Sequence, residues 1–282
     1  MPELPEVETI ARGLDQRIAG DVIDSVWLGE KPEPLKSPAK EIAAVLERAR
    51  IERVRRVGKH VVFDLARLGR NGRRSEAING QWIVHLGMTG RLLIGSPETN
   101  VEKHTHAILK LSSGRELRFV DPRRFGRLAV VRVESKQAGG FAAPGDEPLD
   151  ARAERFITLF RGRKTPIKSA LLNQRLLSGV GNIYADEALS RAGVRPRRRA
   201  ASLTRAELAG LHAALQEVLR EAIALGGSSV SDYVDAEGRE GFFQLQHRVY
   251  GREGEPCLVC GTAIKRVIIA GRSSHYCPNC QK

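Results

Sequence analysis

Apolar positions first recur at helical spacing between residues 5 and 18, where Val7, Ile10, Ala11, Leu14 and Ile18 share one face. Pro5 suits the first turn of such a helix, where its missing N–H is not needed. Glu6 and Glu8 complement the positive end of the helix dipole. The pattern therefore predicts a helix over 5–18, with residues 1–4 held just outside it. From about residue 22 to 133 the period shortens. Val61-Val62-Phe63, Trp82-Ile83-Val84, Leu92-Leu93-Ile94, Ile108-Leu109, Leu117-Arg118-Phe119 and Leu128 to Val133 are short β-prone runs, separated by turn residues at 69–72, 79–80, 87–90 and 113–114. Several short strands with such punctuation predict a β-sandwich or barrel, and one helix is expected at 39–49.

Residues 135–150, SKQAGGFAAPGDEPLD, carry Gly and Pro without periodicity and read as a hinge. The helical period returns at 152–160, 166–173, 182–192 and 204–225. The last of these sets Leu208, Leu211, Leu215, Val218, Leu219 and Ile223 on one face and is ended by Gly226-Gly227. Residues 228–256 are polar and read as an ordered loop. The expected fold class is a multidomain α+β protein: a β-sandwich with flanking helices over 1–134, the hinge at 135–150, a helical domain over 151–244 and a terminal module over 245–282.

Length and composition narrow the picture. A chain of 282 residues suits two domains. The sequence has no apolar run of membrane-spanning length. MPELPEVETI is acidic and lacks the apolar core of a secretory leader, so the expectation is a cytoplasmic, nucleoid-associated protein. A net charge of +13 and a pI near 10.1 favour a polyanionic partner, a generally basic soluble surface being the alternative. Basic residues cluster at Arg53, Arg55 and Arg56, at Arg161, Arg163 and Lys164, and over Arg195 to Arg199.

The four cysteines carry the most specific chemistry. Cys257-x-x-Cys260 and Cys277-x-x-Cys280, separated by sixteen residues, have the spacing of a four-thiolate zinc knuckle. A full thiolate set leaves no open coordination position, so one structural Zn²⁺ is expected. His275 is read as a surface or outer residue. Lys265, Arg266 and Arg272, among Ile264, Val267, Ile268 and Ile269, suggest a hairpin whose basic residues meet phosphate or a groove; a solvated basic edge is the alternative. GVGNIYADE, 179–187, opens a helix after two glycines, a phosphate-binding arrangement or a simple helix connection. Met88 in HLGMTG and Phe125 in DPRRFG offer apolar wedges between bases, or core side chains. The Pro2 amine, secondary once Met1 is removed, could form an iminium with an aldehyde, with Glu3 and Glu6 as acid or base beside it; PELPE read alone is equally a helix start.

Together these segments resemble the formamidopyrimidine-DNA glycosylase family. The likeness covers nearly the whole chain, through PELPEVET, Gly58-Lys59, HLGMTG, KHTH at 103–106, DPRRFG, GVGNIYADE, VYGREGEPC at 249–257 and the cysteine module with GRSS at 271–274. The resemblance implies a β-sandwich, a helix–two-turn–helix domain and a zinc finger, in a monomer acting on damaged double-stranded DNA. It implies base excision of oxidised purines (8-oxoguanine and formamidopyrimidines), followed by β,δ-elimination. By the same resemblance, the catalytic set is Pro2 as Schiff-base nucleophile, Glu3 as acid/base, and Lys59 and Arg272 on phosphates. Met88, Arg123 and Phe125 fill the gap left by the flipped base, His104, Lys168 and Asn182 contact DNA, and 228–244 caps the extruded base. Residues 64–81 are longer than the family's hairpin and read as an insertion. The alternatives are the endonuclease VIII branch, which prefers oxidised pyrimidines, and a noncatalytic zinc-finger DNA-binding protein.

Overall fold

The helix expected at 5–18 is α1, Leu4–Ile18, and Val7, Ile10, Ala11, Leu14 and Ile18 are all buried on one face. Its end lies against the sheet it supports, where Asp15 Oδ1 accepts the Val54 N–H at 2.6 Å. The computed structural model describes residues 1–67, 80–133, 140–229, 236 and 238–282. These divide into two units, Met1–Ala142 with Gly226–Gly241, and Ala143–Leu225 with Phe242–Lys282.

In the first unit two antiparallel four-stranded sheets enclose one apolar core with α1. One sheet has the order β1 (Ile23–Leu28), β6 (Thr105–Leu111), β7 (Glu116–Val120), β5 (Arg91–Gly95). The other runs β2 (Ala49–Val57), β3 (His60–Arg67), β4 (Gly80–His85), β8 (Arg127–Arg132). The sandwich expectation holds, with two strands added. In β1 only Ile23 is fully buried. In β2, ARIERVRRV, a register shift between Ile51 and Arg53 interrupts the alternation that would mark a strand. The expected helix at 39–49 is α2, Ala39–Leu46, and is shorter: Arg48 adopts φ 59° and donates its N–H to Ile23 O at 2.7 Å, turning the chain into β2. The ends of the expected 64–81 insertion belong to β3 and β4, and its centre, 68–79, lies outside the described residues. The same holds for 134–139 of the expected hinge. Phe141, also expected in the hinge, packs on the first unit, 4.8 Å from the His60 ring, and donates its N–H to Gln81.

In the second unit α5 (Asn182–Arg191) and α3 (Ala153–Phe160) pack on α6 (Arg205–Ala224), and α4 (Ile167–Leu171) packs on α5. Thr204 caps α6 reciprocally with Glu207, and Gly226 and Gly227, at φ 76° and 85°, end it as their sequence predicts. The order expected after residue 241 has a local cause. The buried Glu187 carboxylate of α5 collects the N–H groups of Arg248, Val249 and Tyr250 at 2.8–3.0 Å. The chain ends in a hairpin, β9 (Lys265–Ile269) and β10 (Arg272–Tyr276).

Candidate active site and nucleic-acid interface

The N-terminal residues predicted to carry chemistry are buried together. Pro2 is shielded from solvent, and Glu3 and Glu6 are 5% and 2% exposed. Glu6 reaches back to the start of its own helix, its Oε2 accepting the Glu3 N–H at 2.8 Å. Its other oxygen accepts the Ser228 N–H, also at 2.8 Å. That second bond fits only because residue 227 is glycine: at φ 85°, a Cβ there would stand 2.9 Å from the same Glu6 oxygen. The beginning of the 228–244 segment is thus tied to the start of α1. Residues 230–235 and 237 of that segment lie outside the described residues.

One end of the β2-β3-β4-β8 sheet collects three of the predicted motifs. Its last row pairs Val57 with His60, His60 with His85, and His85 with Arg127. Beyond this row lie the Gly58-Lys59 turn, the HLGMTG loop and the DPRRFG turn. Gly58, at φ 60° in the first of two turn positions, meets the requirement of a type II′ hairpin and presents Lys59 half-exposed. Arg56, just before it, pairs with Glu8 of α1 at 2.8 Å, which brings this turn to the N-terminal end of the helix. The His85 ring is held near pKa 4 by burial first, then by the charges of His60, Arg127 and Lys59. Two members of the basic cluster at 53–56 are spent on structure, Arg55 on Asp64 and Arg56 on Glu8, leaving Arg53 exposed.

Met88, Arg123 and Phe125 are brought together outside the core. The Arg123 guanidinium lies 4.9 Å from the Phe125 ring centroid and 4.0 Å from Met88 Sδ. Met88 is half-buried and Phe125 is 51% exposed, so the core alternative for both is set aside. The residue that holds the two loops is Asp121, wholly buried, which sequence reasoning left without a role. Its Oδ1 accepts the Thr89 hydroxyl at 2.5 Å and the Arg123 N–H at 3.2 Å, and its Oδ2 accepts the Gly126 N–H at 2.7 Å. His104, exposed at φ 70°, gives its carbonyl to the Asp121 N–H, and the buried His106 ring contacts the Asp121 carbonyl at 3.0 Å. KHTH therefore supports the DPRRFG turn from behind.

The second unit gathers Lys168, Asn182 and Arg272 around β10, but Lys168 departs from expectation. It is fully buried, with its ammonium 2.7 Å from Asp186 Oδ1 and donating to the Ser273 carbonyl. A lysine so enclosed holds the hairpin rather than reaching a phosphate. Asp186 also accepts the His275 N–H at 2.9 Å, and its Oδ2 lies 3.3 Å from His275 Nδ1; His275 is buried, which sets aside the surface alternative and leaves the outer-residue one. Asn182, the first residue of α5, donates to Ser273 Oγ at 3.2 Å. Arg272 is exposed directly after the hairpin turn, whereas Lys265 and Arg266 stand at the other end of β9.

The four cysteine sulfurs lie within 4.8 Å of one another, with Cys257–Cys280 at 3.9 Å and Cys260–Cys277 at 3.5 Å. Tetrahedral zinc thiolates at about 2.3 Å require sulfurs about 3.8 Å apart, so the donor set fits that ion. Backbone N–H groups of Val259 and Cys280 point at the sulfurs of Cys257 and Cys277, as a thiolate cluster needs.

Fold and site together define a DNA-repair glycosylase with an N-terminal β-sandwich and a terminal cysteine module. Residues 1–128 match the formamidopyrimidine-DNA glycosylase N-terminal domain, 144–234 the formamidopyrimidine-DNA glycosylase H2TH domain, and 254–282 the zinc finger found in FPG and IleRS. A formamidopyrimidine-DNA glycosylase of Desulforamulus reducens is 44% identical over all of this chain and 99% of its own length. One of Solibacter usitatus is 45% identical over the whole of both. The MutM (FPG) protein of Thermus thermophilus superposes with a TM-score of 0.82 at 42% identity, covering 99% of this chain and 98% of that one. A Lactococcus lactis FPG mutant in complex with a Fapy-dG containing DNA gives 0.87 at 32%, over the whole of both chains. The chain belongs to the formamidopyrimidine-DNA glycosylase family.

Proposed function

We infer that this chain is a bifunctional DNA glycosylase and abasic-site lyase that removes oxidised purines from duplex DNA in base excision repair. The observation that carries the mechanism is the enclosure of Pro2, Glu3 and Glu6 at the start of α1, at the sheet end that carries Lys59. Removal of Met1 converts the Pro2 nitrogen from an amide into a secondary amine, whose lone pair attacks C1′ as the glycosidic bond breaks. The electrons of that bond leave with the base, and a proton from Glu3 neutralises it. The C1′–O4′ bond then breaks to give an iminium on Pro2, and O4′ takes up the proton that the Pro2 nitrogen gives up. The iminium acidifies the C2′ proton, whose loss expels the 3′ phosphate, and loss of a second proton, from C4′ of the conjugated iminium that results, expels the 5′ phosphate. Glu6 serves by fixing the Glu3 backbone and the 226–229 segment rather than by moving protons.

Lys59, Arg272, Asn182 and His104 contact phosphates, while Met88, Arg123 and Phe125 enter the stack vacated by the lesion and offset the unstacking cost of a few kcal/mol. Cys257, Cys260, Cys277 and Cys280 hold one structural Zn²⁺, which supplies folding free energy to the hairpin and takes no part in the reaction. The protein acts as a monomer. A single-turnover panel of 8-oxoguanine, formamidopyrimidine and oxidised pyrimidine duplexes tests the substrate: purine lesions should be excised fastest, and a preference for pyrimidines would move the chain to the other branch. Glu3→Gln should slow base removal while affecting cleavage of a preformed abasic site less.

A further inference from the structure

Phe141 falls in the stretch whose composition reads as a hinge, and the site described above gives it no role. The fold clamps it onto the sheet that carries Lys59. In β4, Trp82 and Val84 point into the core, so Gln81 and His85 share the opposite face. Gln81 Oε1 accepts the Phe141 N–H at 2.6 Å, and its Nε2 donates to Asp64 Oδ1, also at 2.6 Å. Arg55 holds Asp64 in turn, at 2.7 Å. Residue 140 must be glycine for this clamp, because a Cβ there would collide with the Gln81 side-chain amide. So fixed, the Phe141 ring meets the His60 ring edge-on at 4.8 Å, and the His60 ring lies 5.0 Å from that of His85.

His85 in turn holds a wedge loop. Its Nδ1 accepts the Gly87 N–H at 3.1 Å, which only an unprotonated Nδ1 can do. Gly87, at φ 65°, lies directly on the DPRRFG turn: a Cβ there would stand 2.6 Å from Gly126 N and from Phe125 C. The Gly87 N–H is therefore anchored where the Met88 loop meets the Phe125 turn. We propose that Phe141 is a positioning residue for base extrusion: by shielding the His60–His85 pair from water it keeps His85 an acceptor for Gly87, and so keeps the Met88 loop seated on the Phe125 turn. The proposal rests on the DNA-repair reading above. Among the described residues, the charged and titratable groups that face His85 are His60 from β3, Arg127 from β8 and Lys59 from the turn between β2 and β3. Burial is the largest cause that holds the His85 pKa at about 4, and these three groups lower it further. Truncating Phe141 leaves the three groups in place and removes part of the burial.

The test is Phe141→Ala, with Phe141→Leu as the variant that restores an apolar cover. NMR titration of the His85 ring reads the shielding. Single-turnover excision of 8-oxoguanine from duplex, taken as the ratio of variant to unaltered protein, reads the wedge. In Phe141→Ala the His85 midpoint should rise from about 4 toward 6.5, and the Gly87 amide resonance should shift with the same midpoint. The excision ratio should be near one at pH 8 and fall toward about one-tenth at pH 5.5, where an imidazole of ordinary pKa is mostly protonated. Cleavage of a preformed abasic site, where no base has to be extruded, should show a ratio that does not change with pH. Phe141→Leu should keep the unaltered His85 midpoint and an excision ratio near one throughout. An unmoved His85 midpoint in Phe141→Ala would overturn the proposal. So would an excision loss equal at both pH values, or one that abasic-site cleavage shares. Absence of any excision by the unaltered protein would instead contradict the DNA-repair reading, and the His85 midpoint would still decide the shielding.

Discussion

Asp121 touches no solvent, yet its two oxygens decide where Met88, Arg123 and Phe125 stand, because they take donors from both wedge loops at once. Asparagine at this position keeps one acceptor and turns an NH₂ group toward a buried donor, at a cost of about 1–3 kcal/mol. Asp121→Asn should therefore slow excision from intact duplex by roughly 10–100-fold. Borohydride trapping on a preformed abasic site, where no base remains to be extruded, should fall much less. Equal losses in both assays would make Asp121 a general stability residue. A second consequence at this scale concerns pH. His85 and His247 are held near pKa 4, chiefly by burial, against an ordinary value of 6.5. Both are neutral in the fold at pH 6.5 and above. As pH falls from 6.5 toward 4 the unfolded chain takes up protons that the folded chain refuses, so stability declines across that window. Thermal unfolding followed from pH 7 to 4 should show the decline. His85→Gln, which cannot titrate, should lessen it by on the order of 2 kcal/mol.

At the scale of elements, the β9–β10 turn carries a local strain. Ala270 and Gly271 both have positive φ, at 47° and 75°, as a two-residue type I′ turn demands, and alanine there is disfavoured by about 1 kcal/mol. Ala270→Gly should raise the stability of the second unit by up to that amount without weakening DNA binding; a destabilised variant would show that Ala270 makes contacts that outweigh its backbone. The same elements show what could be read from the chain. The buried faces of α1 and α6 were legible, because a helix face repeats over several turns. The strands β3 to β8 were legible as short apolar runs. β2 was not, because Arg55 and Arg56 in it are tied to Asp64 and Glu8, partners distant in sequence that convert charged positions into sheet positions. Lys168, expected by resemblance to contact DNA, pairs with Asp186, a partner that only the fold supplies. The cysteine spacing needed no such help, since each pair is local. Asp121 lay inside a recognised motif but could gain a role only once Thr89, thirty-two residues away, was seen to meet it.

For the whole molecule, the tryptophans separate the two units. Both Trp27 and Trp82 lie in the first unit, while the cysteine module has only a small apolar cluster of Val249, Cys257, Ile264 and Cys277. Removing zinc with a chelator should therefore abolish tight DNA binding while leaving the tryptophan-detected unfolding transition nearly unchanged. Coincident loss of both would show that the module supports the whole fold. The central claim, that the Pro2 amine is the nucleophile, is tested most directly by borohydride trapping on abasic-site DNA followed by mass spectrometry of the N-terminal peptide. The account predicts a protein beginning at Pro2 with the reduced sugar on its amine, and no adduct in any form that retains Met1. An adduct on an internal lysine such as Lys59, with the Pro2 amine unmodified, would contradict it.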